Sequence, residues 1–201
     1  MGKELEYKLS VPNEEILLRI LNDEEIRALS EDEWMQTRMK TTYYDTPDRR
    51  FSSHSYTLRR RLEGDESIVC LKTPSHDAHT RGEWQIKAEA IDDAAIERLI
   101  ALGAPMQLLL FYGDGTITPV CGAEFLRRHV MLTFADGSQA ELAGDCGILH
   151  GQSEKLSFTE LELELYRGDA AQMIAFVHRL CKKYGLHEEP KSKYARARAL
   201  K

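Results

Sequence analysis

The sequence lacks any C-x-x-C pair and any cysteine–histidine cluster with metal-ligand spacing; Cys70, Cys121, Cys146 and Cys181 lie far apart. Reduced thiols of a cytosolic protein are the simplest reading of that scatter. No apolar run approaches the length that crosses a bilayer, and the first residues read as a patterned strand instead of a signal peptide. A cytoplasmic protein with no membrane partner is therefore expected. Positive charge is in deficit as well. A formal net charge of −6 gives no reason, through bulk charge, to expect a nucleic-acid partner, although a local basic cluster stays compatible with it. No spacing supports Ser/His/Asp chemistry, and His54 and His129 read as ordinary surface or packing residues. Internal repeats and low-complexity segments are absent.

What is present is alternation. A chain of 201 residues, 42% hydrophobic and 30% charged, has the balance of a folded protein with a real core. Two β-rich halves flank a central helix with no true linker between them, so a single domain over residues 1–201 is expected. The first strand, Lys3 to Leu9, places Glu4, Glu6 and Lys8 on one face and Leu5, Tyr7 and Leu9 on the other.

Later segments repeat the pattern. A strand from about Glu33 to Thr46 sets Arg38, Lys40, Thr42 and Tyr44 against Met35, Thr37, Met39, Thr41 and Tyr43. Tyr56 to Glu63 carries Thr57, Arg59 and Arg61 on one side. Ser67 to Thr73 returns with Ile68, Cys70 and Lys72, and Arg81, Glu83, Gln85 and Lys87 alternate with Trp84 and Ile86. Ile117 to Phe134 is long, with a bend or bulge expected near Gly122, and Asp136-Gly137 predicts a hairpin. Gln139 to Leu149 groups Glu141, Ala143 and Asp145, and Phe158 to Tyr166 sets Glu160, Glu162 and Glu164 against leucines.

Helices are predicted at Asn13 to Leu21, Asp92 to Leu102, Met106 to Phe111 and Ala170 to Tyr184, with a basic helical tail around Lys191 to Arg196. About eight strands with one charged and one apolar face, together with helices bearing apolar stripes, predict an α+β fold. Its expected form is a closed eight-stranded antiparallel β-barrel with helices packed on the outside, because closure removes exposed edges. Charges turned inward cannot stay unpaired in a dry core. Such an interior would be wet and lined by Glu4, Glu6, Glu160, Glu162 and Glu164 beside Arg59, Arg61, Lys72 and Arg81. Guanidinium forks match phosphate oxygens, and clustered carboxylates suit a hard cation, Mg²⁺ or Mn²⁺. Alternation alone is equally compatible with salt bridges on an exposed face.

Glu4-Leu5-Glu6-Tyr7-Lys8 is an E-x-E-x-K motif. In order behind it come Tyr44-Asp45-Thr46, Leu58-Arg59-Arg60-Arg61, Leu71-Lys72, Arg81-Gly82-Glu83, Glu160-Leu161-Glu162-Leu163-Glu164 and Ser192-Lys193 with Arg196. In these motifs, which span almost the whole chain, the sequence resembles the CYTH superfamily, the triphosphate tunnel metalloenzymes. That resemblance implies an eight-stranded tunnel holding a small-molecule triphosphate or polyphosphate with one or two Mg²⁺ or Mn²⁺ ions. It implies Glu4, Glu6, Glu160 and Glu162 as metal ligands, with Asp145, Glu164, Glu83 and Glu141 as candidates for a second metal or for orienting water. Lys8, Arg59, Arg61, Lys72, Arg81 and Lys193 would hold phosphates, and Arg127 joins them on a weaker match.

Within that resemblance, metal-dependent hydrolysis of inorganic tripolyphosphate to pyrophosphate and phosphate is the first expectation. A class IV-type adenylyl cyclase and a thiamine triphosphatase stand beside it, and a non-catalytic polyphosphate-binding module is the alternative of another class. An organic group would need an aromatic pocket, for which Trp34, Tyr44, Trp84 and Phe158 are the candidates. An apolar outer face could also serve a homodimer.

Overall fold

The computed structural model describes residues 2–30, 32–74 and 80–201, with side chains for 5–30, 32–74 and 82–201. The side chains of Glu4 and Arg81, expected at a metal and at a phosphate, lie outside the described residues.

Strand β1 (Gly2–Ser10) leads into helix α1 (Glu14–Leu21). Asn13 starts this helix, its Oδ1 accepting the Ile16 amide at 2.9 Å, and Glu14 and Glu15 complement the positive end of the helix dipole. The short helix α2 (Glu24–Leu29) follows directly, capped by Asp23. Next come β2 (Met35–Asp45), α3 (Arg50–Ser53), β3 (Thr57–Glu63), β4 (Glu66–Thr73) and β5 (Thr80–Lys87). Helices α4 (Asp93–Ala101) and α5 (Gln107–Tyr112) lie mid-chain. The second half holds β6 (Thr118–Thr133), β7 (Gln139–His150), β8 (Lys155–Arg167), α6 (Ala171–Tyr184), β9 (His187–Glu188) and α7 (Lys193–Ala199).

Among the described residues nine strands form one antiparallel sheet in the order β5-β4-β3-β2-β6-β7-β8-β1-β9. The expected closed eight-stranded barrel is corrected here. The described pairings of β1 divide along its length: Gly2 to Leu5 run against Glu83 to Thr80 of β5, and Glu6 to Ser10 run against Glu164 to Glu160 of β8. Where β1 leaves β5, the two-residue β9 takes over its edge, pairing Leu9 with Glu188 and Ser10 with His187. A strand pair this short carries no period-2 signal, so it could not be read from sequence.

The bend expected near Gly122 is present. The β2–β6 register slips between Tyr43 and Tyr44, which face Cys121 and Pro119, so Val120 is the extra residue of a bulge. Gly137, at φ 81°, occupies the tight β6–β7 turn and admits a conformation that side chains resist.

Three cores explain which sheet face meets what. On the outside, α1, α2 and α6 bring Leu17, Ile20, Ile26, Phe176 and Leu180 onto Leu9, Leu132, Leu142, Leu161 and Leu163. Each such fully buried side chain contributes about 1.5–3 kcal/mol of transfer free energy. A second outer core joins Phe51 of α3, Ile96 and Leu99 of α4 and Leu108 of α5 to Leu58, Val69 and Leu71. The third core lies on the inner face. There Ala197 of α7, fully buried, packs with Met39, Tyr43, Ala123, Phe125, Leu149 and Phe158. So helices do not all pack outside. The C-terminal one packs against the concave face, where Lys193 and Tyr194 join the cavity lining.

Candidate functional site

The concave face encloses a cavity of about 530 Å³ to which each of β1–β8 contributes. Period-2 alternation selects what it sees. From β8 it receives Glu162 and Glu164, from β7 Glu141, from β1 Glu6 and Lys8, from β3 Arg59 and Arg61, from β4 Lys72, and from β6 Arg127 and His129. On β2 the inward face is Met35, Thr37, Met39, Thr41 and Tyr43. Lys40 instead points to solvent, paired with Glu124 at 2.8 Å.

The carboxylates divide into two groups. The deep group is Asp145, Glu160 and Glu162, whose oxygens lie within 4.8 Å of one another. Register places Glu160 opposite Asp145. Three cations fill this cluster. Arg127 forks onto Asp145 with Nε at 2.8 Å and an Nη at 2.7 Å, and it also donates to Glu162. Lys193, at the first turn of α7, sets its ammonium 2.7 Å from Asp145 and 2.8 Å from Glu162 and pairs with Glu160. Arg196, one turn on, also pairs with Glu160. Phe125 and Phe158 lie under these cations, with the Lys193 ammonium 4.9 Å from the Phe125 centroid. Burial alone would raise the Glu162 carboxyl, but Lys193, Arg127 and Lys8 outweigh it and hold it well below the carboxylate range.

The outer group behaves oppositely. Glu6, Glu164 and Glu141 are direct cross-strand partners on β1, β8 and β7. Directly opposed residues have Cβ atoms about 4.5–5.5 Å apart, so three like charges stand in one row. Glu164 is pushed up to about 7, first by enclosure and then, against the pull of Lys72, by Glu83, Glu6 and Glu141. His129 Nδ1 lies 3.1 Å from Glu141 and fixes that carboxylate in the row.

From β3 and β4 come Arg59, Arg61 and Lys72, and each meets a carboxylate, Arg61 pairing with Glu63. Lys72 meets Glu83 at 3.0 Å and Arg59 meets it at 3.4 Å. Burial and the neighbouring Arg59 and Arg127 lower the Arg61 guanidinium, with Glu63 pulling the other way. Its Nε is buried without a hydrogen-bond partner among the described residues. Cys70 faces the same wall and donates to Glu83 at 2.9 Å; burial pushes its thiol up to about 12, so it serves as a neutral donor, not as a nucleophile.

Of the residues singled out from sequence, Glu6, Lys8, Arg59, Arg61, Lys72, Arg127, Glu162, Glu164 and Lys193 line one cavity. Asp145 and Glu160 are wholly buried beneath it. His129, read as a packing or surface residue, stands in the wall instead. The expected aromatic candidates fare differently: Trp34 packs on the first outer core and Trp84 on the second. The rings at the cavity are Tyr43, Phe125 and Tyr194. Tyr43 and Phe125 share alternation parity with Thr41 and Arg127, and that was the available signal.

An all-oxygen row of Glu6, Glu141 and Glu164 has the donor chemistry for a hard divalent cation, which would offset both the burial and the like charges that raise Glu164, whereas the carboxylate oxygens that already converge within 4.8 Å are those of Asp145, Glu160 and Glu162. A cation among Asp145, Glu160 and Glu162 would require Lys193 to withdraw.

The CYTH domain family model matches residues 2–197. The chain is 30% identical to the inorganic triphosphatase of Haemophilus influenzae over 146 residues, 69% of this chain and 39% of that relative. It thus spans well under half the length of that protein. Among solved structures it resembles that of HpAC1 from Hippeastrum, reported with a dominant triphosphatase activity, at 15% identity and a TM-score of 0.63. The match covers 96% of this chain and 94% of that one. A Pyrococcus horikoshii OT3 protein matches at 20% identity and a TM-score of 0.58, with 96% of each chain covered. Both structural likenesses concern the fold.

Proposed function

The chain belongs to the CYTH family, and from that premise we propose that it hydrolyses inorganic tripolyphosphate to pyrophosphate and phosphate with Mg²⁺ or Mn²⁺. One observation carries the reading: a single cavity gathers Arg59, Arg61 and Lys72 from β3 and β4 and Glu6, Glu164 and Glu141 from β1, β8 and β7. Burial first, and then Glu83, Glu6 and Glu141, push Glu164 up to about 7; burial first, and then Arg59 and Arg127, lower Arg61, which pairs with Glu63. A polyanion suits the basic set and a divalent cation the carboxylate row, so the two ligands enter as a pair.

In this mechanism Arg59, Arg61 and Lys72, with Lys8 on the facing strand, hold the phosphate oxygens and stabilise charge as it moves onto the leaving pyrophosphate. Glu6, Glu141 and Glu164, joined by Glu4, would hold the cation. Bound there, it would neutralise phosphate oxygens and make a coordinated water more acidic. Glu141, 3.1 Å from His129 Nδ1, would alternatively orient the attacking water and take up its proton. The deep cluster of Asp145, Glu160 and Glu162 anchors Arg127 and α7, so its work is to hold the wall in shape.

Tripolyphosphate stands ahead of organic triphosphates because the cavity's rings lie at the end packed against α7: Tyr43 and Tyr194 have centroids 5.1 Å apart. Beside Met35, at the opposite end of β2, the ring that lines the cavity is the His129 imidazole, which is already engaged with Glu141. A passive binding module would have no use for the carboxylate row.

The test is a panel of tripolyphosphate, thiamine triphosphate, ATP and longer polyphosphate with Mg²⁺ or Mn²⁺, with phosphate and cAMP measured separately. Phosphate release from tripolyphosphate, faster than from the others, is expected. Rapid cAMP formation without phosphate release would replace this reading with a cyclase. Tight binding with no turnover would replace it with a binding module.

A further inference from the structure

Among the described residues that line the cavity, a single histidine stands among the carboxylates. His129 projects from β6 with Ala143 directly across from it on β7, and Glu141 is the next inward residue of β7. Ala143 is too short to meet the ring, so the ring contacts the diagonal neighbour, its Nδ1 lying 3.1 Å from Glu141 Oε2. The other oxygen of that carboxylate, Oε1, is 4.0 Å from an Arg127 Nη. Glu141 thus turns one oxygen toward a guanidinium and the other toward the imidazole. From Glu141 the cross-strand row continues to Glu164 and then to Glu6. On the other flank of His129 stands Met35 of β2, which is 61% exposed, so this end of the row meets solvent.

An octahedral cation with donors about 2.1 Å away sets neighbouring donor atoms about 3 Å apart. The imidazole nitrogen and the carboxylate oxygen, at 3.1 Å, already have the separation of two adjacent ligands. The geometry points to His129 as a nitrogen ligand, beside Glu141, for the cation of the carboxylate row, and so to a preference of this chain for Mn²⁺ over Mg²⁺. The inference rests on the proposed cation-binding role of that row. Mg²⁺ takes oxygen ligands and parts reluctantly with its water, whereas imidazole suits transition ions. Carboxylates and water serve both ions, so the nitrogen is the donor that separates them. The competing role for the ring is a hydrogen-bond donor to Glu141 from outside the coordination sphere. Such a donor orients the carboxylate for either ion alike, and it changes affinity without changing preference.

Pulsed EPR of Mn²⁺ bound to the full chain, free of any affinity tag and of phosphate, reads the ligand directly, because a coordinated imidazole nitrogen modulates the electron spin echo. Nitrogen modulation is expected in the wild type, where the result does not depend on any variant folding, and should vanish in His129→Gln. Calorimetry on the two proteins should show Mn²⁺ affinity falling about tenfold or more in the variant, with Mg²⁺ affinity changing by less than about threefold. Bound Mn²⁺ without nitrogen modulation in the wild type would overturn the inference alone and leave the row an all-oxygen site. Modulation that survives in His129→Gln would also overturn it, by assigning the nitrogen to another of the seven histidines. Equal losses of Mn²⁺ and Mg²⁺ affinity would overturn it in favour of the outer hydrogen bond. Failure of Mn²⁺ to bind the wild type at all would remove the cation-binding role of the row, and the inference with it.

Discussion

Glu162 and Glu164 are neighbours on one face of one strand, yet they live in opposite electrostatic worlds. Glu162 belongs to the deep group with Asp145 and Glu160, where Arg127, Lys193 and Arg196 supply three cations. Glu164 belongs to the row with Glu6 and Glu141, where like charges prevail and its carboxyl rises to about 7. Residue type and alternation are identical for the two. What separates them is Lys193 of α7 together with Arg127 of β6, which bring cations to one end of β8 and not to the other. Carboxylates that look equivalent in a motif can therefore hold the fold in one case and bind a ligand in the other.

The comparison breaks most visibly at Lys193. Lys193→Met removes the ammonium shared by three carboxylates and leaves only Arg127 and Arg196 to compensate them, a change worth about 3–5 kcal/mol. Urea unfolding should show a loss of that size. A loss below about 1 kcal/mol, within the range of exposed ion pairs, would mean that the deep cluster is not structural.

Glu6→Gln should do the reverse. The row loses one of three opposed carboxylates while Lys8 loses an ion partner at 3.7 Å, so unfolding free energy changes by less than about 1 kcal/mol, while metal-dependent phosphate release falls by about 100-fold or more. Full activity in Glu6→Gln would remove the row from the metal's path.

The smallest effect is pH dependence, and its sign differs between the groups. Glu164 rises from an ordinary 4.5 to about 7, so its protonated form suits the ligand-free fold. That contribution is complete below pH 4.5 and is lost as pH climbs through 7. Glu162 is held far down, so its contribution is present above 4.5 and is lost only as pH falls through its depressed value. Melting curves of the wild type and Glu164→Gln should therefore converge at pH 4.5 and separate by pH 8, with the variant more stable. Mg²⁺ affinity of the wild type should strengthen up to about pH 7 and then level off. Identical melting profiles for the two proteins across that range would contradict the assignment.

Much of this was legible in the sequence, for a physical reason. Strands such as β1 and β8 bury one face, so their alternation is enforced and names its inward residues, Glu6, Lys8, Glu162 and Glu164 among them. Helices α1 and α4 carry caps at Asn13 and Asp92 that act locally. The parts that stayed hidden depend on partners distant in sequence. Helix α3 has four residues and hangs on Asp45, which accepts the Phe51 amide at 3.0 Å and the Ser52 amide at 3.2 Å from a buried position. Strand β9 exists because β1 has a free edge there. Lys193 was expected to face phosphate by its place in a motif, and nothing in the tail's own pattern says that α7 turns inward. His129 has no distinguishing spacing; only the register opposite β7 brings it to Glu141.

The claim that the two carboxylate groups differ in kind is tested most directly by anomalous diffraction from crystals grown with Mn²⁺. The strongest peak should lie among the carboxylates of Glu6, Glu141 and Glu164, with Lys193 still seated between Asp145, Glu160 and Glu162. A strongest peak within the Asp145–Glu160–Glu162 cluster, with the Lys193 ammonium displaced, would contradict it.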